Sequence, residues 1–130
     1  DKGMVLKHYN MYTCTDKDDL EALEREFRFE FDRGGVFCGF AGWFDVAFNP
    51  PNGSEHEKMG IVLDTSPKCK RTHWSQTLFP LSEQIKVNKG DVVSGKVSFF
   101  RNNVSIRHYR LFVDCQIKDK TFRKMFFLWD

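Results

Sequence analysis

The stretch from Tyr109 to Ile117 reads YRLFVDCQI, with an apolar or aromatic side chain at every second position. Alternation of this kind is typical of a β-strand that buries one face and exposes the other. The residues Lys118 to Lys120 predict a hairpin tip, and the run from Thr121 to Trp129 predicts the returning strand. The end of the chain therefore predicts an antiparallel β structure.

Strand and turn signals of the same kind recur through the rest of the 130 residues. Thr15 predicts the N-cap of a short helix that runs through Leu20 and Leu23, and residues 32–35 predict a hairpin turn. A long polar loop covers 49–60. Further strands are predicted at 5–12, 27–31, 36–48, 61–63, 74–81, 85–87 and 92–100. Eight to ten mostly antiparallel strands with one short N-terminal helix indicate an all-β barrel or sandwich.

The longest predicted strand runs from Val36 to Phe48, and its even positions are apolar apart from Gly42. We expect these even positions to face the core. Gly39 and Gly42 predict a bend or bulge, as in a sheet that closes on itself.

Composition and charge exclude several classes of protein. Aromatic residues make up 15% of the chain, which argues against disorder. No apolar run approaches the roughly 18–20 residues that span a bilayer. Residues 1–65 hold 7 basic and 13 acidic residues, whereas residues 66–130 hold 13 basic and 5 acidic residues. A basic half can attract nucleic acid or acidic peptides, but its cations are spaced along strands, so direct nucleic-acid binding is not expected.

Cysteine and histidine spacing predicts no metal site. The four cysteines contain no C-x-x-C pair, and the four histidines lack ligand spacing. Two disulfides would be possible in a secreted chain. Because Cys38 and Cys115 lie in apolar strand patterns, we expect buried thiols and a cytoplasmic or nuclear location.

Motif searches find no complete active site. The chain contains no G-x-S-x-G motif, no phosphate-binding loop and no G-x-G-x-x-G followed by a helix. One loop is distinctive, because a proline-containing segment leads to Thr72, His73 and Trp74 at the predicted start of a strand. On composition alone the favoured interpretation is a turn threonine, an edge histidine and a core tryptophan.

Several motifs resemble those of one family. Residues Thr72-His73-Trp74 followed by Gln76 resemble the T-H-W-x-Q loop of the protein arginine methyltransferases. Further blocks follow the family's order: G-F-x-x-W-F-x-V-x-F at 39–48, L-x-T-x-P at 63–67, G-D-x-x-x-G at 90–95, Arg101-Asn102-Asn103, and the ending from Phe126 to Trp129.

The resemblance implies a domain organisation. Residues 1–130 would form a single domain, the C-terminal β-barrel of a type I-like enzyme. The domain that binds S-adenosylmethionine, the dimerisation arm and the paired glutamates that hold the substrate guanidinium would lie before Asp1. This stretch alone would bind no cofactor and no metal, and it would not be catalytic.

The resemblance also implies roles for the loop and for its partners. His73 would line the arginine pocket and pair with an acidic residue of the N-terminal methyltransferase domain. Thr72 and Trp74 would complete the loop, with Trp74 packed beneath it, and Gln76 would be structural. The expected partners are that domain, protein substrates with arginine/glycine-rich segments, such as histones and RNA-binding proteins, and a second copy in a homodimer.

Two departures from the family pattern leave alternatives open. Asp64 stands where serine is usual, and Lys70 and Arg71 directly precede the triplet. Such cations disfavour a cationic substrate near the pocket. The alternatives are the barrel of a catalytically silent paralogue that binds and activates a partner, and an independent barrel for a small ligand.

Overall fold

The computed structural model describes residues 3–20, 22–48, 60–101 and 108–128. These residues form one short helix and eight strands, and the all-β fold class is confirmed. Within the described ranges, no helix is long and apolar enough to cross a membrane. The elements are α1 (Asp16–Leu20), β1 (Leu23–Glu30), β2 (Gly35–Gly42), β3 (Asp45–Phe48), β4 (Ile61–Asp64), β5 (Thr77–Val87), β6 (Val92–Arg101), β7 (Tyr109–Ile117) and β8 (Lys120–Leu128).

The chain divides into two compact units, residues 1–37 with 83–130 and residues 38–82. The first unit is built on an antiparallel sheet of order β1-β6-β7-β8. Its core-facing side chains alternate along each strand, as the sequence predicts. On β7 this face carries Leu111, Val113, Cys115 and Ile117, all of which are buried.

A glycine lies in the middle of this core face. Gly95 on β6 pairs with Phe27 on β1 and with Cys115 on β7, and Cys115 pairs with Phe122 on β8. A Cβ atom at Gly95 would lie 2.0 Å from the Asp114 carbonyl oxygen and 2.6 Å from the Cys115 Cα atom. The backbones of β6 and β7 therefore approach too closely at this point for any larger residue.

Strand β8 ends the four-stranded sheet. Lys124 lies opposite Val113 of β7 and so occupies a core-facing register position. Its Nζ atom lies 5.0 Å from the centre of the Phe126 ring. The ammonium group is thus held over an aromatic face on the inner side of the last strand.

The second unit contains the antiparallel pair β3–β4, in which Asp45 lies opposite Asp64 and Phe48 opposite Ile61. Strand β2 pairs with β5. Gly39 on β2 has φ +150°, and a Cβ atom there would lie 2.2 Å from the Phe79 carbonyl oxygen. The bend predicted at Gly39 is therefore a close approach of two strands.

Three sequence predictions of local structure are wrong. Residues 5–12 form no strand, and a turn occupies 11–13. The helix ends at Leu20, and Leu23 already begins β1. Residues 32–35 do not join a hairpin, because β1 and β2 belong to different sheets. The bend at 32–33 therefore joins strands of two different sheets.

The predicted long strand 36–48 is divided at Trp43 and Phe44 into β2 and β3. Its predicted core face is also wrong in part, because Val36, Cys38 and Phe44 are exposed whereas Phe37 is buried. Ile61 and Val62 on β4 are exposed as well.

Of the two thiols predicted to be buried, Cys115 is buried and Cys38 is exposed. None of the four cysteines, all of which are described, forms a disulfide. The polar loop up to residue 59 lies outside the described residues, as do Asn102, Asn103 and Trp129 of the family motifs.

We predict that Gly95→Ala lowers the free energy of unfolding by about 3 kcal/mol or more, because the added methyl group overlaps the β7 backbone. Chemical denaturation measures the change. Gly35→Ala is the matched control, since a Cβ atom there has no neighbour within 4 Å. Equal midpoints for the two variants would contradict the close approach.

Candidate functional site

The triplet Thr72-His73-Trp74 lies on the loop between β4 and β5. The Ser75 amide donates to the Thr72 carbonyl oxygen at 3.4 Å, and Ser75 adopts a left-handed φ of 53°. This turn ends the loop, and β5 begins only at Thr77. The strand predicted from Trp74 therefore begins three residues later, at Thr77, and continues to Val87, so the whole triplet is a loop feature.

The imidazole of His73 is exposed and rests on an aromatic support. The rings of His73 and Trp74 are 3.7 Å apart between centres and tilted by 34°. Trp74 meets Phe44 edge to face, with ring centres 5.9 Å apart at 78°. Aromatic contacts of this kind restrict ring orientation. Trp74 is itself 51% exposed, so it contacts His73 and Phe44 without being buried.

Thr65 fixes the base of the loop. Its side chain is 1% exposed, and its Oγ1 donates to the Phe44 carbonyl oxygen at 2.7 Å while accepting from the Phe44 amide at 3.2 Å. At the other end of the loop, Gln76 Nε2 donates to the Thr65 carbonyl oxygen at 2.7 Å. Gln76 therefore ties the end of the loop to the residue at its base.

Asp64, one of the departures from the family pattern, closes the first turn of the loop. Its carboxylate accepts from the Ser66 amide at 2.7 Å and from the Cys69 thiol at 2.9 Å. These hydrogen bonds, the thiol first, lower the pKa of Asp64 to about 2. The same bond raises the pKa of the Cys69 thiol, so this exposed cysteine is not an activated nucleophile.

Asp45 shares the β3–β4 pair with Asp64. Desolvation raises the pKa of Asp45, and the neighbouring charge of Asp64 adds to the rise. The two carboxyl groups therefore differ in protonation: Asp64 keeps its negative charge to lower pH, whereas Asp45 takes up a proton more readily. Sequence reasoning missed this pair, because the segment 49–60 is too long to fix the register of the two strands that it joins.

The segment that precedes the triplet in the chain is positively charged. Lys68, Lys70 and Arg71 are all exposed in the six residues before His73. Thr72 has a different property: its Oγ1 is buried and has no hydrogen-bond partner among the described residues. The described residues contain no cluster of histidine, cysteine and carboxylate side chains that could hold a metal ion.

Comparison with known proteins identifies the family. The model of the arginine methyltransferase oligomerization subdomain matches residues 2–120. The chain belongs to the protein arginine methyltransferases. The resemblance inferred from the motifs is thereby confirmed.

A curated relative, protein arginine N-methyltransferase 2 of Xenopus tropicalis, is 36% identical over 116 residues, which are 89% of the chain and 26% of that relative. The chain thus spans about a quarter of the length of this methyltransferase.

Two solved methyltransferase structures share the fold. Arginine methyltransferase 10 of Arabidopsis thaliana, described in a uniquely open conformation, gives a TM-score of 0.78 at 26% identity and covers 95% of this chain and 37% of that one. A Trypanosoma brucei PRMT1 enzyme-prozyme heterotetramer with AdoHcy gives 0.74 at 18% identity, covering 93% and 37%. The all-β fold predicted for the family's C-terminal barrel is confirmed by this likeness.

The division of roles between the two carboxyl groups predicts a pH effect. The pKa of Asp64 lies below its ordinary value near 3.8, so its contribution to stability is present above about pH 4 and is lost as the pH falls towards 2. Replacement of Asp64 by asparagine removes this pH-dependent loss of stability. The same replacement lowers the pKa of Asp45, because the neighbouring negative charge is gone.

Carboxyl ¹³C NMR titration of Asp64→Asn, together with acid denaturation, tests both effects. Asp119→Asn, in the exposed β7–β8 turn, is the matched control and leaves the titration of Asp45 unchanged. An Asp45 titration that is the same in Asp64→Asn and in the native chain would contradict the proposed coupling.

Proposed function

We propose that this chain is the substrate-groove barrel of an active protein arginine N-methyltransferase. The whole protein would transfer a methyl group from S-adenosylmethionine to arginine guanidinium nitrogens of proteins such as histones and RNA-binding proteins. The observation that carries the proposal is the exposed imidazole of His73, which rests on Trp74 in the family's T-H-W-x-Q loop. An exposed but positioned polar ring suits a pocket wall better than a folding contact.

His73 would act by position and charge. Its ring would line the arginine pocket and pair with an acidic residue of the methyltransferase domain, so that the two domains hold the guanidinium in a reactive orientation. The loop would therefore position the substrate and would not supply the nucleophile.

The cofactor would be held elsewhere in the whole protein. The described residues contain strands and one five-residue helix. Among them there is no unit in which a strand, a glycine-rich loop and a long helix follow one another, as in folds that bind nucleotide cofactors. S-adenosylmethionine, when bound, supplies the electrophilic methyl group. This chain would add one wall of the groove in which arginine lies.

We further propose that the whole protein works as a homodimer. The matching family model is described as an oligomerization subdomain, and the Trypanosoma brucei neighbour is a heterotetramer. The methyltransferase domain of the same protein would be the barrel's other partner.

His73→Ala in the full-length protein is expected to lower kcat/KM for an arginine-containing peptide by about tenfold or more, because the pocket loses a positioning group. Transfer of a labelled methyl group measures the rate. His8→Ala is the control, because His8 is exposed and distant from His73 in the sequence. Equal melting temperatures of the variants and the native protein exclude misfolding. Native turnover in folded His73→Ala would remove His73 from the site. A native protein that is inactive but activates a partner methyltransferase would favour the silent paralogue.

The 130-residue chain alone is expected to transfer no methyl group. The reason is that the cofactor and the carboxylates that hold the guanidinium would be supplied by other parts of the protein. The same labelled-methyl assay, run beside the full-length protein at equal molar concentration, measures the difference. Turnover by the chain alone would overturn the division of labour proposed here.

A further inference from the structure

Two cations on the loop that carries His73 are not used in holding that loop together. Lys70 and Arg71 are exposed and directly precede the triplet 72–74. The hydrogen bonds that close the loop are made by other residues. Within the described ranges, neither cation forms a side-chain hydrogen bond or an ion pair. The structure of the loop therefore does not account for these two charges.

The loop as a whole is positively charged. Residues 65–76 contain three cations and no carboxylate. The cations are Lys68, Lys70 and Arg71, of which the last two are next to the triplet. Charges in water act on one another over about 8 Å at physiological ionic strength. The loop therefore favours the approach of an acidic group over that of a basic one.

The carboxyl groups closest to the loop in sequence lie at its base. In the described part of the second unit, Asp45 and Asp64 are the two acidic residues, and they are opposite each other where β3 begins and β4 ends. The Asp64 carboxylate is already hydrogen-bonded within the first turn of the loop. Repulsion of an acidic partner therefore acts at the base of the loop, whereas attraction by Lys70 and Arg71 acts beside the triplet.

Chain connectivity limits how far the two cations lie from His73. With about 3.8 Å between successive Cα atoms, the Cα atom of Arg71 is at most about 8 Å from that of His73, and the Cα atom of Lys70 at most about 11 Å. An extended peptide advances about 3.3–3.6 Å per residue. If a substrate arginine lies beside His73, an acidic residue within about three positions of that arginine can reach one of the two cations.

Two other partners fit the loop less well. Proteins that bind a nucleic acid through its phosphates commonly make about 6–10 such contacts, whereas residues 65–76 offer three cations. A substrate segment crowded with arginines would bring more positive charge to a place that is already positive. An acidic residue close to a single arginine avoids both difficulties.

We propose that Lys70 and Arg71 are specificity residues, which select arginines that have an aspartate or glutamate within three positions in the substrate. The proposal rests on the proposed function, because it places the substrate arginine beside His73. It goes further by naming the class of substrate, a protein segment with an acidic residue close to the target arginine. The two cations act on substrate binding and take no part in methyl transfer itself.

Methyl transfer by the full-length protein to three matched peptides tests the proposal. Each peptide has one central arginine among glycine and alanine, and the residues two positions to either side are aspartate, asparagine or lysine. We expect kcat/KM for the aspartate peptide to exceed that for the asparagine peptide by about fivefold, mainly through KM, because exposed ion pairs contribute modestly. The difference should shrink as salt is added, since salt screens exposed charges.

Charge variants identify the residues responsible for the preference. In the double variant Lys70→Gln with Arg71→Gln, the ratio of the two kcat/KM values should fall to about one. Charge reversal, Lys70→Glu with Arg71→Glu, should transfer the preference to the lysine peptide. The matched control is Arg33→Gln with Lys89→Gln, which removes the same charge at two exposed positions outside the loop and should keep the native ratio. Equal melting temperatures show that the variants are folded.

Failure of this proposal and failure of the proposed function give different results. Equal kcat/KM for the aspartate and asparagine peptides, or a native ratio in Lys70→Gln with Arg71→Gln, would overturn the proposal and leave the methyltransferase function intact. Turnover of neither peptide would contradict the proposed function. Fluorescence anisotropy of the labelled peptides then decides the proposal by the same ratio, taken between dissociation constants. A 12-nucleotide polyuridine that binds more tightly than the aspartate peptide, and is lost in the same double variant, would overturn the proposal in favour of a nucleic acid.

Discussion

The buried hydroxyl of Thr65 is the constraint on which the candidate loop depends. A polar side chain at this depth requires hydrogen bonds, and both of those made by its Oγ1 go to the backbone of Phe44. Phe44 in turn meets Trp74, and Trp74 supports His73. Because Gln76 binds the Thr65 carbonyl oxygen, the two ends of the loop converge on one residue. The orientation of an exposed histidine is thus traced to a threonine in the interior.

The sequence was informative about the fold where side-chain contrast was strong. On β7, every second residue is apolar and Phe112 is the single apolar residue on the opposite face, so the assignment of faces is clear. Residues 36–48 lack that contrast, because Phe37 is as apolar as its neighbours Val36 and Cys38. The choice of the buried face was made by tertiary contacts, including the edge-to-face packing of Phe37 against Phe31 with ring centres 5.4 Å apart. Such contacts join residues from different strands and cannot be deduced from periodicity.

The candidate site was likewise predictable from the sequence only in part. The triplet at 72–74 was found through its resemblance to a family motif, and the structure adds how it is supported. The contacts of Asp64 with Cys69 and Asp45 depend on turn geometry and on register across the segment between β3 and β4, neither of which a sequence specifies locally. The substitution of the family's serine by aspartate was visible from the start, whereas its partners were not.

The position of Lys124 bears on self-association of the chain. The last strand of a sheet presents unpaired backbone groups that can recruit a strand from another molecule and so begin aggregation. Lys124 places a charged group on the inner side of β8, held over Phe126. An incoming strand that continued this sheet would have to bury that ammonium group in its own apolar layer. Lys124 thus places a positive charge at a core-facing register position of the last strand, where any added strand would have to accommodate it.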